Sequence, residues 1–124
     1  MLMPMAAQDK IPYPFILEYL NGVDITVKPM FGGYAVYSDG KLQLFLLRRA
    51  GKPNYEKGLT ENGIYAAGTA DHIDSLRSEF PDAEFQLLKG GKVWIFFAES
   101  SEMFEPYTAA ACEMIAARDP RLGR

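Results

Sequence analysis

One cysteine and one histidine in 124 residues remove whole classes of chemistry. With Cys112 alone, no intramolecular disulfide can form and no cysteine-based zinc cluster can be assembled within one chain. Its setting, Ala109-Ala110-Ala111-Cys112-Glu113, predicts a buried structural thiol in a helix that approaches a sheet closely, and Glu113 works against a reactive thiolate. His72 would have to serve any Ser-His-Asp or Cys-His device, yet no nucleophile elbow or oxyanion nest adjoins it. It reads as a solvated residue in the first turn of a helix, with Asp71 and Asp74 favouring the helix dipole. Glycine-rich phosphate cradles are missing too, since neither Gly32-Gly33 nor Gly90-Gly91 belongs to a GxGxxG or GxxxxGK pattern. Acidic side chains such as Glu56, Glu61, Glu79, Asp82 and Glu84 show no spacing that pairs two of them for acid/base work. The expectation is therefore no catalytic residue, no metal and no cofactor.

No apolar run approaches the ~18 residues that span a bilayer. The apolar start, Met1 to Gln8, contains Pro4 and has no basic flank, so neither a membrane partner nor a signal peptide is expected and the cytoplasm is the predicted location. A formal net charge of -3 confines any binding field for nucleic acid to a local patch.

What the sequence has in quantity is apolar and aromatic side chains, 48% and 13% of the chain, enough to fill one core and too many for a disordered segment. Residues 1–10 read as a flexible lead-in and 11–124 as one domain. Pro12 and Pro14 bracket Tyr13 ahead of a short helix over Phe15 to Leu20, stopped by Asn21-Gly22. Asp24 to Lys28 alternates apolar and polar residues and meets Pro29, as an edge strand does. Tyr34 to Ser38 and Lys41 to Arg48 flank Asp39-Gly40, a two-residue hairpin signal. Ala50 to Leu59 lacks any period and reads as a long loop. A strand over Asn62 to Ala67, a helix capped by Thr69 and running to Phe80, and a hairpin of Glu84 to Lys89 with Lys92 to Ala98 about Gly90-Gly91 follow. Met103, Tyr107, Ala110, Ala111, Met114 and Ile115 form one stripe of a last helix capped by Ser100 or Ser101. The fold class is α+β: a mainly antiparallel sheet of five or six strands built from successive hairpins, with three helices.

Two strands are apolar on both sides: Leu42, Leu44 and Leu46 against Phe45 and Leu47, and the whole of Val93-Trp94-Ile95-Phe96-Phe97. Both sheet faces must then be covered, either by the three helices or by helices on one face and a second subunit on the other. Separately, Lys41, Arg48, Arg49, Lys52 and Lys57 face only Glu56 between residues 41 and 57, with Phe45 and Tyr55 among them, a pattern that can hold phosphates and stack bases. Arg118, Arg121 and Arg124 read as cations complementing the last helix's C-terminus.

The run Met30-Phe31-Gly32-Gly33-Tyr34-Ala35-Val36-Tyr37-Ser38-Asp39-Gly40-Lys41 resembles the MFGGYG-type signature of the TfoX N-terminal domain, with Ala35 where a third glycine usually stands. The resemblance is confined to that domain; the C-terminal helical domain of full TfoX-like regulators has no counterpart before Arg124. It implies a compact α+β domain in which these residues build a structural hairpin, and a looser likeness to YjbR-like or secretion-chaperone-like domains points the same way. The expected function is a non-catalytic protein-interaction or regulatory module, binding a protein partner or itself, possible homodimer included, through Met30, Phe31, Gly32, Gly33 and Tyr34. The alternatives are a nucleic-acid adaptor using Arg48, Arg49, Lys52 and Lys57, and a small-molecule enzyme assembled from distant segments.

Overall fold

The computed structural model describes residues 10–48 and 61–124. The lead-in up to residue 9 and the Ala50 to Leu59 loop, with Arg49, Lys52 and Lys57, lie outside the described residues. Six strands form one antiparallel sheet: β1 (Ile25–Met30), β2 (Gly33–Ser38), β3 (Lys41–Leu47), β4 (Gly63–Thr69), β5 (Glu84–Leu88) and β6 (Lys92–Ala98), in spatial order β1-β2-β3-β4-β6-β5. Three helices, α1 (Ile16–Tyr19), α2 (Ile73–Glu79) and α3 (Phe104–Ala116), complete an α+β fold.

The hairpins follow their turn residues. Asp39 and Gly40 both have positive φ, 55° and 72°, the left-handed pair that a two-residue turn requires, and Ser38 pairs directly with Lys41. The second hairpin is one residue looser than expected: Leu88 pairs with Lys92, so Lys89 joins Gly90 and Gly91 in a three-residue loop. Thr69 precedes a short 3-10 turn, Ala70–His72, without a side-chain capping bond, and α2 starts only at Ile73. At α3 the Ser101 hydroxyl accepts from the Met103 N–H at 3.1 Å, one turn ahead of the helix proper. The helix ends in a Schellman arrangement, with Arg118 N–H bonded to Ile115 O and Asp119 N–H to Met114 O. That motif normally places glycine where Arg118 sits at φ 56°. Replacing it (Arg118→Gly) is expected to raise stability by about 1 kcal/mol, read as a higher urea midpoint at unchanged slope.

All three helices pack on one face. There Ile16 of α1, Leu76 of α2, and Tyr107, Ala111, Met114 and Ile115 of α3 meet Val36, Leu44, Leu46, Ile64, Val93, Ile95 and Phe97 of the sheet. The expected α3 stripe is the one that is buried. The second face has its own cluster of Ala35, Phe45, Leu47, Tyr65, Ala67, Trp94 and Phe96. The two-sided strands are thus correct except at Leu42, which packs with Phe45 on the second face rather than with Leu44 and Leu46 because the β3 ladder slips by one residue at Gln43, and the helices do not divide between the faces. A second subunit is not needed to bury this layer either, because Phe45 and Tyr65 are each 1% exposed within the single chain.

One element of the fold has no local signal. In β3, Gln43 is an extra residue opposite the Val36/Tyr37 step, a bulge after which the start of β3 leaves β4. Residues 122–124 enter that gap. Gly123 N–H bonds to Ala67 O at 2.8 Å, Leu42 and Arg124 exchange backbone bonds at 3.0 and 3.1 Å, and Leu122 bridges to Gly68. The cations there do not simply complement the helix end. Arg121 forms ion pairs with Asp119 at 2.7 Å and Glu79 at 3.3 Å, tying the tail to α2, while Arg124 reaches the second face.

Candidate functional site

Sheet register draws the aromatic layer as a line across the second face: Ala35 pairs with Phe45, Phe45 with Tyr65, Tyr65 with Phe96. Directly opposed side chains on one face of antiparallel strands touch, and here they are rings. Tyr65 stacks on Phe96 with centroids 4.5 Å apart, meets Phe45 edge-on at 6.2 Å, and meets Trp94 at 6.0 Å. Its hydroxyl donates to Glu61 O at 2.9 Å, which satisfies that polar atom at the edge of the layer.

The Met-Phe-Gly-Gly residues sit at the border of this layer. Met30 pairs with Gly33, so Phe31 and Gly32 are the two central residues of the turn, at φ 51° and 81°. Both positive values are required there, and the residue that usually supplies the first is asparagine, aspartate or glycine. A phenylalanine in the left-handed region is strained and is 47% exposed, with its ring tilted over Phe45 at 6.5 Å. Gly33 is needed for a different reason. A Cβ on it would lie 2.3 Å from the Leu46 carbonyl oxygen and 2.7 Å from Phe45 Cζ, so only glycine lets β2 lie against β3 at that point. Tyr34 alternates to the helix face, where it packs on the other cluster.

Between the turn and the tail lies a concavity of about 410 Å³, lined by Met30 and Phe31 on the β1–β2 side and by Leu88, Lys92 and Arg124 on the β5–β6 and tail side, with the touching rings of Phe45 and Trp94 between them. That volume is in the range of ligand-sized sites, and most of its wall is apolar. Arg124 lies with its guanidinium 4.3 Å from the centre of the Trp94 ring and donates to Gly68 O, at 3.2 Å, and to Val93 O. Burial holds its pKa below the ordinary arginine value. No carboxylate side chain among the described residues pairs with Arg124 or with the exposed Lys92. A wider hollow of about 560 Å³ over the β1–β2 edge is lined by Asp24, Lys28, Tyr37 and Asp39, a wall of mixed charge without the aromatic floor.

Of the residues expected to bind, the structure therefore brings Met30 and Phe31 to one concave site, gives Gly32 and Gly33 backbone roles beside it, and turns Tyr34 away. Arg48 is engaged elsewhere: its Nε pairs with Glu99 at 3.3 Å, and the same carboxylate lies 3.2 Å from the Tyr13 hydroxyl, which donates to Leu47 O at 2.9 Å. Burial, then the Glu99 charge, pushes the Tyr13 hydroxyl pKa up, so that hydroxyl stays protonated. Lys92, Trp94 and Arg124 were not among the expected site residues; the available signal was an aromatic strand position flanked by a lysine, but the arginine that completes it is thirty residues away.

Elsewhere the chemistry-bearing groups are dispersed. Cys112 is fully buried and burial pushes its thiol up to about 12, far from thiolate character at neutral pH. His72 is half-buried where the 3-10 turn meets α2, and its ring makes no hydrogen bond among the described residues. Nor, among those residues, do three His, Cys, Asp or Glu side chains gather where they could hold a metal ion, and no helix is long and apolar enough to cross a membrane. Compared with protein-family models, curated proteins and solved structures, the chain matches none.

Proposed function

We propose that the protein is a non-catalytic interaction module of the TfoX N-terminal-like kind, which binds a protein partner on the helix-free face of its sheet. The observation that supports this most is Phe31: a large aromatic side chain, half exposed, in a left-handed turn position where a small polar residue would fold more easily. It stands at the border of an aromatic concavity rather than over open surface, so the strained turn holds a ring where a partner would meet it. Arg48, which with Lys41 is described among the basic residues read for nucleic acid, is instead paired with Glu99, which makes the nucleic-acid reading the weaker of the two.

Photo-crosslinking tests the proposal. With p-benzoylphenylalanine in place of Phe31, irradiation of cells making the protein should give a discrete heavier adduct containing a second protein. The same label in place of Tyr19, an exposed aromatic on the helix side, should not. Adducts formed equally from both positions, or from Tyr19 alone, would remove the helix-free face as the binding surface.

A further inference from the structure

The two sides of the concavity differ in chemistry. The Phe31 turn lies at the Gly33 end of the β2–β3 register, whereas Leu42, which pairs with Tyr37, and the tail bonded to it lie toward the other end. Gly33 and Tyr37, which mark the two ends on β2, are four residues apart, so the backbone positions of the aromatic end and the cationic end are separated by about 13 Å along the strand. At the cationic end, Lys92 is exposed and Arg124 is half-buried on Trp94, its guanidinium bonded, among the described residues, to backbone carbonyls alone. A half-buried guanidinium that no described carboxylate side chain pairs is a place where an incoming anion gains more than it would at a solvated lysine, because the solvent that would otherwise compete is already reduced.

Resting on the reading of this face as a protein-binding surface, we infer that its occupant is an extended acidic segment of the partner, with an aromatic side chain seated against Met30 and Phe31 and a carboxylate two to four residues away at Lys92 and Arg124. The spacing suits an extended chain, which advances ~3.3 Å per residue and presents alternate side chains to the same side. It suits a compact ligand poorly, since a single ring bearing a carboxylate spans less than the distance between the two ends. The attraction is local: the chain's net charge of -3 would repel an acidic segment elsewhere, so the cationic end also selects the orientation in which the segment lies.

The chain's single tryptophan is Trp94, so its indole N–H resonance in a ¹⁵N-labelled sample reports on this site alone. The full-length protein is titrated with three blocked peptides: Phe-Thr-Glu-Thr-Glu, its Phe-Thr-Gln-Thr-Gln analogue, and Ala-Thr-Glu-Thr-Glu. The first should shift the Trp94 resonance saturably; the other two should bind at least tenfold more weakly, and Lys92→Gln should weaken the first peptide alone by a similar factor. Lys92 is an exposed strand end, so that variant keeps the fold. Equal binding of the acidic and amide peptides, or no shift at millimolar peptide, overturns the inference. A shift produced only by 2-naphthoate would reassign the site to a small aromatic acid, and one produced only by oligothymidylate to single-stranded nucleic acid; either overturns it as well. If the Phe31 crosslink forms while the acidic peptide fails, only the chemistry of the partner is wrong. If the crosslink is absent too, the binding surface itself is.

Discussion

Gly33→Ala is expected to destabilise the protein by about 3 kcal/mol, a fall of roughly 10 °C in Tm for a chain of this size. The cause is steric and lies in backbone rather than in a flexible side chain. The new methyl would sit 2.3 Å from the Leu46 carbonyl oxygen, and the Phe45 ring blocks the alternative at 2.7 Å. Relief requires β2 to move off β3, and every pairing from Tyr34 with Leu46 to Ser38 with Lys41 depends on that separation. Gly40→Ala makes the comparison, because nothing lies within 4 Å of a Cβ there and only its positive φ, 72°, opposes the change. That variant should cost about 1 kcal/mol. Urea denaturation of the two variants separates close approach from backbone conformation, and equal losses would contradict the account of Gly33.

Phe45→Ala should cost about 4 kcal/mol, toward the upper end for removal of a buried ring. Phe45 is 1% exposed and touches Phe31, Tyr65 and Trp94, so its loss opens a cavity in the centre of the aromatic layer rather than at its border. The layer lies on the sheet opposite all three helices, so far-ultraviolet circular dichroism should be retained at low temperature while Trp94 fluorescence shifts to longer wavelength. A variant that loses less than about 1 kcal/mol would mean that the second face is not a packed layer at all.

These contrasts show which parts of the molecule sequence patterns carry. Asp39-Gly40 specifies its hairpin because two left-handed positions in succession are a local requirement, met by two residues that tolerate it. The α3 stripe is equally local, since residues three and four apart share a face whatever else the chain does. The Gly90-Gly91 loop is misjudged by one residue because glycine pairs accommodate several loop lengths. The Phe31-Gly32 turn was hidden for the opposite reason: a phenylalanine at its first position is what local preference argues against, although the neighbouring glycines marked the region as unusual.

The candidate site was half legible. Met30 and Phe31 stand out through the double glycine, but the cationic end depends on a bulge at Gln43 that frees the start of β3 from β4 and admits residues 122–124. No periodicity announces a bulge. Gln43 itself, buried with its Nε2 bonded to Ser38 O at 3.3 Å, looks in the sequence like one more alternating polar residue. In the sequence the arginines look like complements to the helix C-terminus, a nearby explanation, whereas Arg124 is placed by strand-like bonds to Leu42 and by the Trp94 ring. Likewise, two-sided strands disclose that both faces are covered without saying by what; the three helices settle on one face because their apolar surfaces meet one another as well as the sheet.

The central claim is that Phe31 occupies a strained turn for the sake of binding, and one paired measurement on Phe31→Asn tests it most directly. Asparagine followed by Gly32 is the sequence that such a turn prefers, so folding and binding should respond in opposite ways. For the partner identified by crosslinking, the account predicts at least a tenfold loss of affinity together with a urea midpoint equal to or above that of the native protein. Unchanged affinity in the folded variant would contradict it.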